Sequence, residues 1–194
     1  QLSAEQLRWT DAVTFFRNGL DKRPLDVNLT ISLAQSLTAL AQFDEALALL
    51  RGALDTQPNQ VELWLSAGEM LQHIGRIEEA VEIYRESLIQ HPASGPLQLQ
   101  LADCLSDLQW PNEAKLLYEA VLQHTPGHPD ALNNQALLAA ATGQSTQAES
   151  VFRALTVSHP DYGDPYRNLS VLKHFDSTAD QDILAMRAAL QRDH

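Results

Sequence analysis

The sequence holds little of what usually announces chemistry. Its 194 residues include one cysteine, Cys104, which excludes an internal disulfide framework and leaves no cysteine pair for a zinc site. Cys104 falls at an apolar helical position and reads as packing rather than as a reactive thiol. Positive charge is scarce: 13 Lys and Arg against 25 Asp and Glu give a formal charge of −12. No basic stripe can neutralise phosphates, so nucleic acid is excluded as a partner, and an anionic membrane surface is disfavoured. No run approaches the roughly 18 apolar residues of a membrane span, so membrane insertion is not expected. Neither GxSxG, HExxH, a glycine-rich phosphate loop nor CxxC occurs. The expectation is therefore no catalytic, cofactor-binding or metal-binding residues, no cofactor, and no enzyme activity in the chain as it stands. The pairs Asp44-Glu45 and Glu78-Glu79 open helices, where carboxylates favour the dipole. His124 and His128 have the spacing of half a zinc site without the other half, and His91, His124 and His159 suit helix C-terminal ends. The chain opens with Gln1 rather than Met, which points to a fragment, so the lack of a leader says little about compartment. The cytoplasm is the default expectation.

What is present is a period. Residues 61–94 read as two amphipathic helices: Leu63, Ala67, Met70 and Leu71 recur at helical spacing, Gly75 interrupts, and Ala80, Val81, Tyr84 and Leu88 resume until Pro92. Such a hairpin cannot bury its apolar face alone. Pro24, Pro58, Pro92, Pro126 and Pro160 each stand 34 residues from the next. On that period the second-helix alanine returns as Ala46, Ala80, Ala114 and Ala148, followed four residues on by Leu50, Tyr84, Tyr118 and Phe152. The small first-helix residue returns as Ala34, Gly68, Ala102, Ala136 and Ser170. These offsets resemble the tetratricopeptide repeat, a helix–turn–helix solenoid unit. The family's tryptophan is kept once, as Trp64, with Thr30, Gln98 and Leu132 at the matching places. The resemblance implies an all-α fold, a right-handed superhelical solenoid of antiparallel helix pairs forming one array.

Taken in order, residues 1–26 carry an N-terminal helix or half-repeat, with a capping-box pattern at Ser3 and Gln6. Trp9, Ala12, Phe16 and Leu20 match second-helix positions. Full repeats occupy 27–60, 61–94, 95–128 and 129–162. In the third, Gln109 replaces the turn glycine and Trp110-Pro111 opens the second helix, where proline lacks only an N–H that has no partner. Residues 163–194 make a partial repeat and a C-terminal capping helix. Lys173, His174, Phe175, Asp180, Asp182, Ile183, Ala185 and Met186 resemble the junction in bacterial proteins where such repeats precede a sulfotransferase domain. That resemblance implies the alternative of a partner- or substrate-recruiting region of a larger enzyme.

The tetratricopeptide resemblance also implies a concave groove lined by the second, fifth, sixth, ninth and twelfth-to-thirteenth residues of each unit. The sixth positions are Ser32, Ser66, Gln100, Asn134 and Asn168, a row able to hydrogen-bond an extended peptide, similar to the asparagine ladder of O-linked N-acetylglucosamine transferases. Gln35, Glu69, His73, Asp103, Asn133, Arg167 and His174 complete the expected peptide-binding groove. The basic clamp of chaperone-binding repeats is absent, and Glu62, Glu69, Asp103, Asp107, Asp130 and Asp164 tilt the groove acidic. A protein or peptide partner, neutral or basic, is expected. Self-association through the terminal helices is a further expectation, since exposed ends of solenoids stack.

Overall fold

A computed structural model describes residues 4–172, with ten α-helices and no strands among them. After α1 (Ala4–Lys22), the first helices are α2 (Val27–Ala39), α4 (Val61–His73), α6 (Gly95–Asp107), α8 (Pro129–Ala141) and α10 (Gly163–Leu172). The second helices are α3 (Phe43–Thr56), α5 (Ile77–Gln90), α7 (Pro111–His124) and α9 (Ser145–Ser158). Each first helix starts 34 residues after the one before, as the proline spacing predicts. The chain divides into two compact units between Gln109 and Trp110. The first holds α1–α6 and the second α7–α10, and each is an all-α stack of helices joined by short turns. Ser3 and the residues from Lys173 onward, including His174 and the expected capping helix, lie outside the described residues.

The repeat offsets are core positions. Ala46, Ala80, Ala114 and Ala148 are fully buried, as are Leu50, Tyr84, Tyr118 and Phe152 four residues later. Gly68 is needed because a Cβ there would stand 2.1 Å from Cζ of Tyr84. The small residue makes room for an aromatic ring rather than for a bare helix backbone. In α1, Val13 is buried while Ala12, Phe16 and Leu20 are half-buried, because α2 covers only one side of that helix.

Trp64, at the repeat's tryptophan position, has an equivalent one repeat later. Trp64 Nε1 donates to the carbonyl of Pro58 at 2.8 Å, and Gln98 Nε2 donates to the carbonyl of Pro92 at 2.8 Å. Glutamine thus supplies the same tie between a first helix and the preceding turn. It does so less completely, since its buried Oε1 has no partner.

The turns inside the repeats place their second residue at positive φ: Ala41 (58°), Gly75 (79°), Gln109 (61°) and Gly143 (88°). There the N–H of Gln42 bonds to Leu37 O at 2.9 Å, and that of Arg76 to Leu71 O at 2.8 Å, closing a Schellman cap. Two of the four turns force a side-chain-bearing residue into a left-handed conformation that costs about 1 kcal/mol. Ala41→Gly is therefore expected to stabilise the first unit by about 1 kcal/mol. Urea unfolding of the two proteins would show it, and a destabilised Ala41→Gly would refute the strain.

Candidate functional site

In the first unit, α2 and α4 flank a cleft of about 270 Å³. Gln35 and Thr38 line it from α2; Ser66, Glu69 and His73 line it from α4, above buried Ala34 and Met70. These side chains share a face because groove positions recur at helical spacing along each first helix. Four of the residues expected from sequence (Gln35, Ser66, Glu69, His73) are brought together here. Thr38 stands at the twelfth position, so its signal was present; Met70 is indistinguishable from core in the sequence. Ser32 is half-buried on α2, where its carbonyl accepts from Ser36 Oγ at 2.7 Å. Gln100 and Asp103 are half-buried on α6.

Glu69 is exposed at the cleft wall, and desolvation by the surrounding helix surfaces holds its carboxyl above its ordinary range. The buried Tyr84 hydroxyl donates to Gln72 Oε1 at 3.0 Å. Its phenol is pushed up by burial and by neighbouring Cys104, Glu69 and Asp103, so it serves only as a neutral donor. Cys104 is fully buried, and burial together with Asp107 and Asp103 pushes its thiol up to about 12. That leaves negligible thiolate near neutrality, which suits packing rather than reactivity.

The second unit is built differently. Asn133, only 2% exposed, stands where earlier repeats carry Ile31, Leu65 and Leu99. Its Oδ1 accepts from Nδ2 of Asn168 on α10 at 2.8 Å, and its own Nδ2 donates to Asn134 Oδ1 at 2.9 Å. Asn168 is 9% exposed. The three asparagines form one hydrogen-bonded chain across α8 and α10, with Asn134 half-buried at its end. Arg167 is exposed and paired with Asp164 at 2.7 Å. Leu137 and Val171 are exposed at the ninth positions, where the first unit has Gln35, Glu69 and Asp103.

Three of the histidines have polar partners within the fold. His91 Nε2 lies 3.2 Å from Pro58 O, His128 Nδ1 accepts from the Ala131 N–H at 3.4 Å, and His159 Nδ1 lies 2.9 Å from Ser158 Oγ. Among the described residues no three His, Cys, Asp or Glu converge on a metal-sized site, and no helix is long and apolar enough to cross a membrane.

Comparison with known proteins bears on this architecture. The tetratricopeptide repeat family profile matches residues 31–95 and 99–163. No curated protein matches the chain by sequence. Among solved structures, TTC0263, a thermophilic TPR protein of Thermus thermophilus, superposes with a TM-score of 0.67 at 18% identity, covering 85% of this chain and 90% of that one. YrrB, described as a TPR protein with an unusual peptide-binding site, gives 0.61 at 21% identity over 92% and 93% of the two chains. The human IFIT1 dimer with PPP-AAAA gives 0.70 at 18% identity over 92% of this chain and 44% of that one. At these identities the likeness is one of fold. The residues that carry the sulfotransferase-like resemblance, Lys173 to Met186, lie outside the described residues.

Proposed function

Because the chain belongs to the tetratricopeptide repeat family, whose fold supports protein-interaction scaffolds, we propose that the first-helix face of its first unit binds an extended peptide bearing a basic side chain. The observation that carries this reading is the cleft between α2 and α4, with Glu69 in its wall. A partly desolvated carboxylate is unfavourable alone and gains from a lysine or arginine brought to it. Gln35 and Ser66 supply donors and acceptors for a peptide backbone, and Ala34 and Met70 give an apolar floor. YrrB carries a peptide-binding site on a similar fold. IFIT1 was solved with PPP-AAAA, but a formal charge of −12 makes a phosphate-rich partner unfavourable here. The chain acts as a scaffold, and no residue is assigned a catalytic role.

The test is fluorescence anisotropy with labelled peptides that are lysine-rich, neutral or glutamate-rich. The lysine-rich peptide should bind tightest, and Glu69→Gln should weaken it about tenfold, the equivalent of some 1.4 kcal/mol. Equal affinity for all three, or no effect of Glu69→Gln, would place binding elsewhere.

The same carboxyl makes a prediction about stability. A carboxyl raised in the folded state contributes full stability below its unfolded value near 4.5, and that contribution is lost as pH rises through the folded value. Without ligand, Glu69→Gln is therefore expected to melt higher than wild type at pH 7, with the gap closing below pH 4.5. A gap that persists at low pH would contradict the desolvation argument.

A further inference from the structure

The cleft between α2 and α4 holds a titratable base beside the carboxylate that would draw a ligand's cation. His73 lines the α4 wall together with Glu69, and both side chains are exposed. They stand four residues apart on one helix, the spacing that places two side chains on one face. Glutamate on the N-terminal side of the cation is the favourable order for such a pair. His73 is also the last residue of α4, where the helix dipole favours positive charge. No other full repeat combines these groups: the ninth and thirteenth residues are Gln35 and Ala39, Asp103 and Asp107, and Leu137 and Ala141.

The charges on the neighbouring helices leave this pair to act on each other. Among the described residues lining the cleft, His73 alone is basic, and α2 contributes only uncharged groups. On α6 the matching positions are acidic, with Asp103 half-buried and Asp107 exposed. At the turn into α5, Arg76 is engaged by Glu79 at 2.5 Å and by Asp44 of α3 at 3.8 Å, while Glu78 is exposed. Glu45, the other acid opening α3, is paired with Arg17. Arg76, the cation at this end of the hairpin, is thus tied to the turn, and Glu69 has His73 on its own face.

Histidine is the side chain that changes charge between about pH 5 and pH 8. With His73 uncharged, the desolvated Glu69 carboxylate gains most from a cation that a ligand brings. With His73 protonated, the imidazolium supplies that cation from within the wall. It also sets a like charge beside an incoming lysine or arginine. Two cations then compete for one carboxylate.

We propose that protonation of His73 closes this cleft to basic peptides, so that the chain holds its partner near neutrality and releases it on acidification. The inference rests on the peptide reading of the cleft and adds its control. The experiment is fluorescence anisotropy of the labelled lysine-rich peptide at about pH 7.5 and about pH 5.5, a span over which the peptide's lysines keep their charge. Wild type should bind about fivefold more weakly at the lower pH. His73→Gln, which cannot take a charge, should match wild type at the higher pH and lose no more than about twofold on acidification, the part left to Glu69 itself. His73→Lys, a permanent cation at the same place, should bind weakly at both. His73 is exposed, so both variants should melt as wild type does at the higher pH. Equal wild-type affinity at the two pH values would overturn the proposal and leave the peptide reading standing. So would an undiminished pH loss in His73→Gln, or His73→Lys binding as tightly as wild type. No binding of the peptide at either pH would overturn both.

Discussion

Tyr84→Ala is expected to cost about 3–5 kcal/mol, the range found when a large buried aromatic is truncated. The Tyr84 ring is fully buried, and the space it fills exists only because Gly68 has no Cβ. With the ring gone, α4 and α5 face each other across a void bounded by a glycine that cannot fill it. The Tyr84 hydroxyl bond to Gln72 is also lost, although that term is small. Tyr84→Phe, which keeps the ring and removes only the hydroxyl, should cost about 1 kcal/mol. Chains of this size hold about 5–15 kcal/mol in total, so the alanine variant approaches the unfolding threshold. In a repeat array each unit leans mainly on its neighbours. The loss should therefore register first as faster amide exchange in α4 and α5, with urea unfolding giving the total. A Tyr84→Ala loss no larger than that of Tyr84→Phe would mean that the ring does not hold the hairpin. In repeat four Ala136 and Phe152 share one core cluster, so that ring has a methyl group where Tyr84 has a glycine. The glycine–tyrosine pair is specific to the second repeat.

Most of the fold was legible because the features that define it are local and repeated. Proline every 34 residues and small residues at fixed offsets mark helix ends and close contacts whatever the partner. The helices beginning at Val27, Val61, Gly95, Pro129 and Gly163 follow from them. Gln98 shows where such reading thins: composition says only that a tryptophan is missing, whereas the structure shows its hydrogen bond to the proline carbonyl preserved. Ala41 shows the same for the turns, since nothing in alanine announces a positive φ. The residues expected in a groove were legible as a recurring helix face but not as a set of exposures. Glu69 and His73 line an open cleft, whereas Asn133 and Asn168 lie on the same predicted face and are buried against each other. Their pairing links residues 35 apart. A period of 34 aligns equivalent positions and is silent about contacts between unlike ones.

That pair carries the second large effect. Asn133→Ala should cost about 2–3 kcal/mol, because it leaves the buried Asn168 amide without its acceptor and opens a small cavity. Asn168→Ala should cost a similar amount for the converse reason. The two losses should not add: the Asn133–Asn168 bond is lost in either single variant and can be lost only once, so the cycle should show a coupling of at least about 1 kcal/mol. Asn133→Leu combined with Asn168→Leu should recover much of the stability, since earlier repeats hold Ile31, Leu65 and Leu99 at the position of Asn133 and replacing both members of a buried polar pair can be nearly neutral. Additive losses would mean that the asparagines act separately. The same cycle separates structure from recognition. An Asn168 amide donated to Asn133 is not available to a ligand, so Asn168→Ala should shift the melting transition of the second unit while leaving affinity for the lysine-rich peptide unchanged. Glu69→Gln should do the reverse, weakening the peptide while the fold holds. A ligand whose affinity tracked Asn168 and ignored Glu69 would move the binding face to the second unit, where Leu137 and Val171 are exposed beside half-buried Asn134.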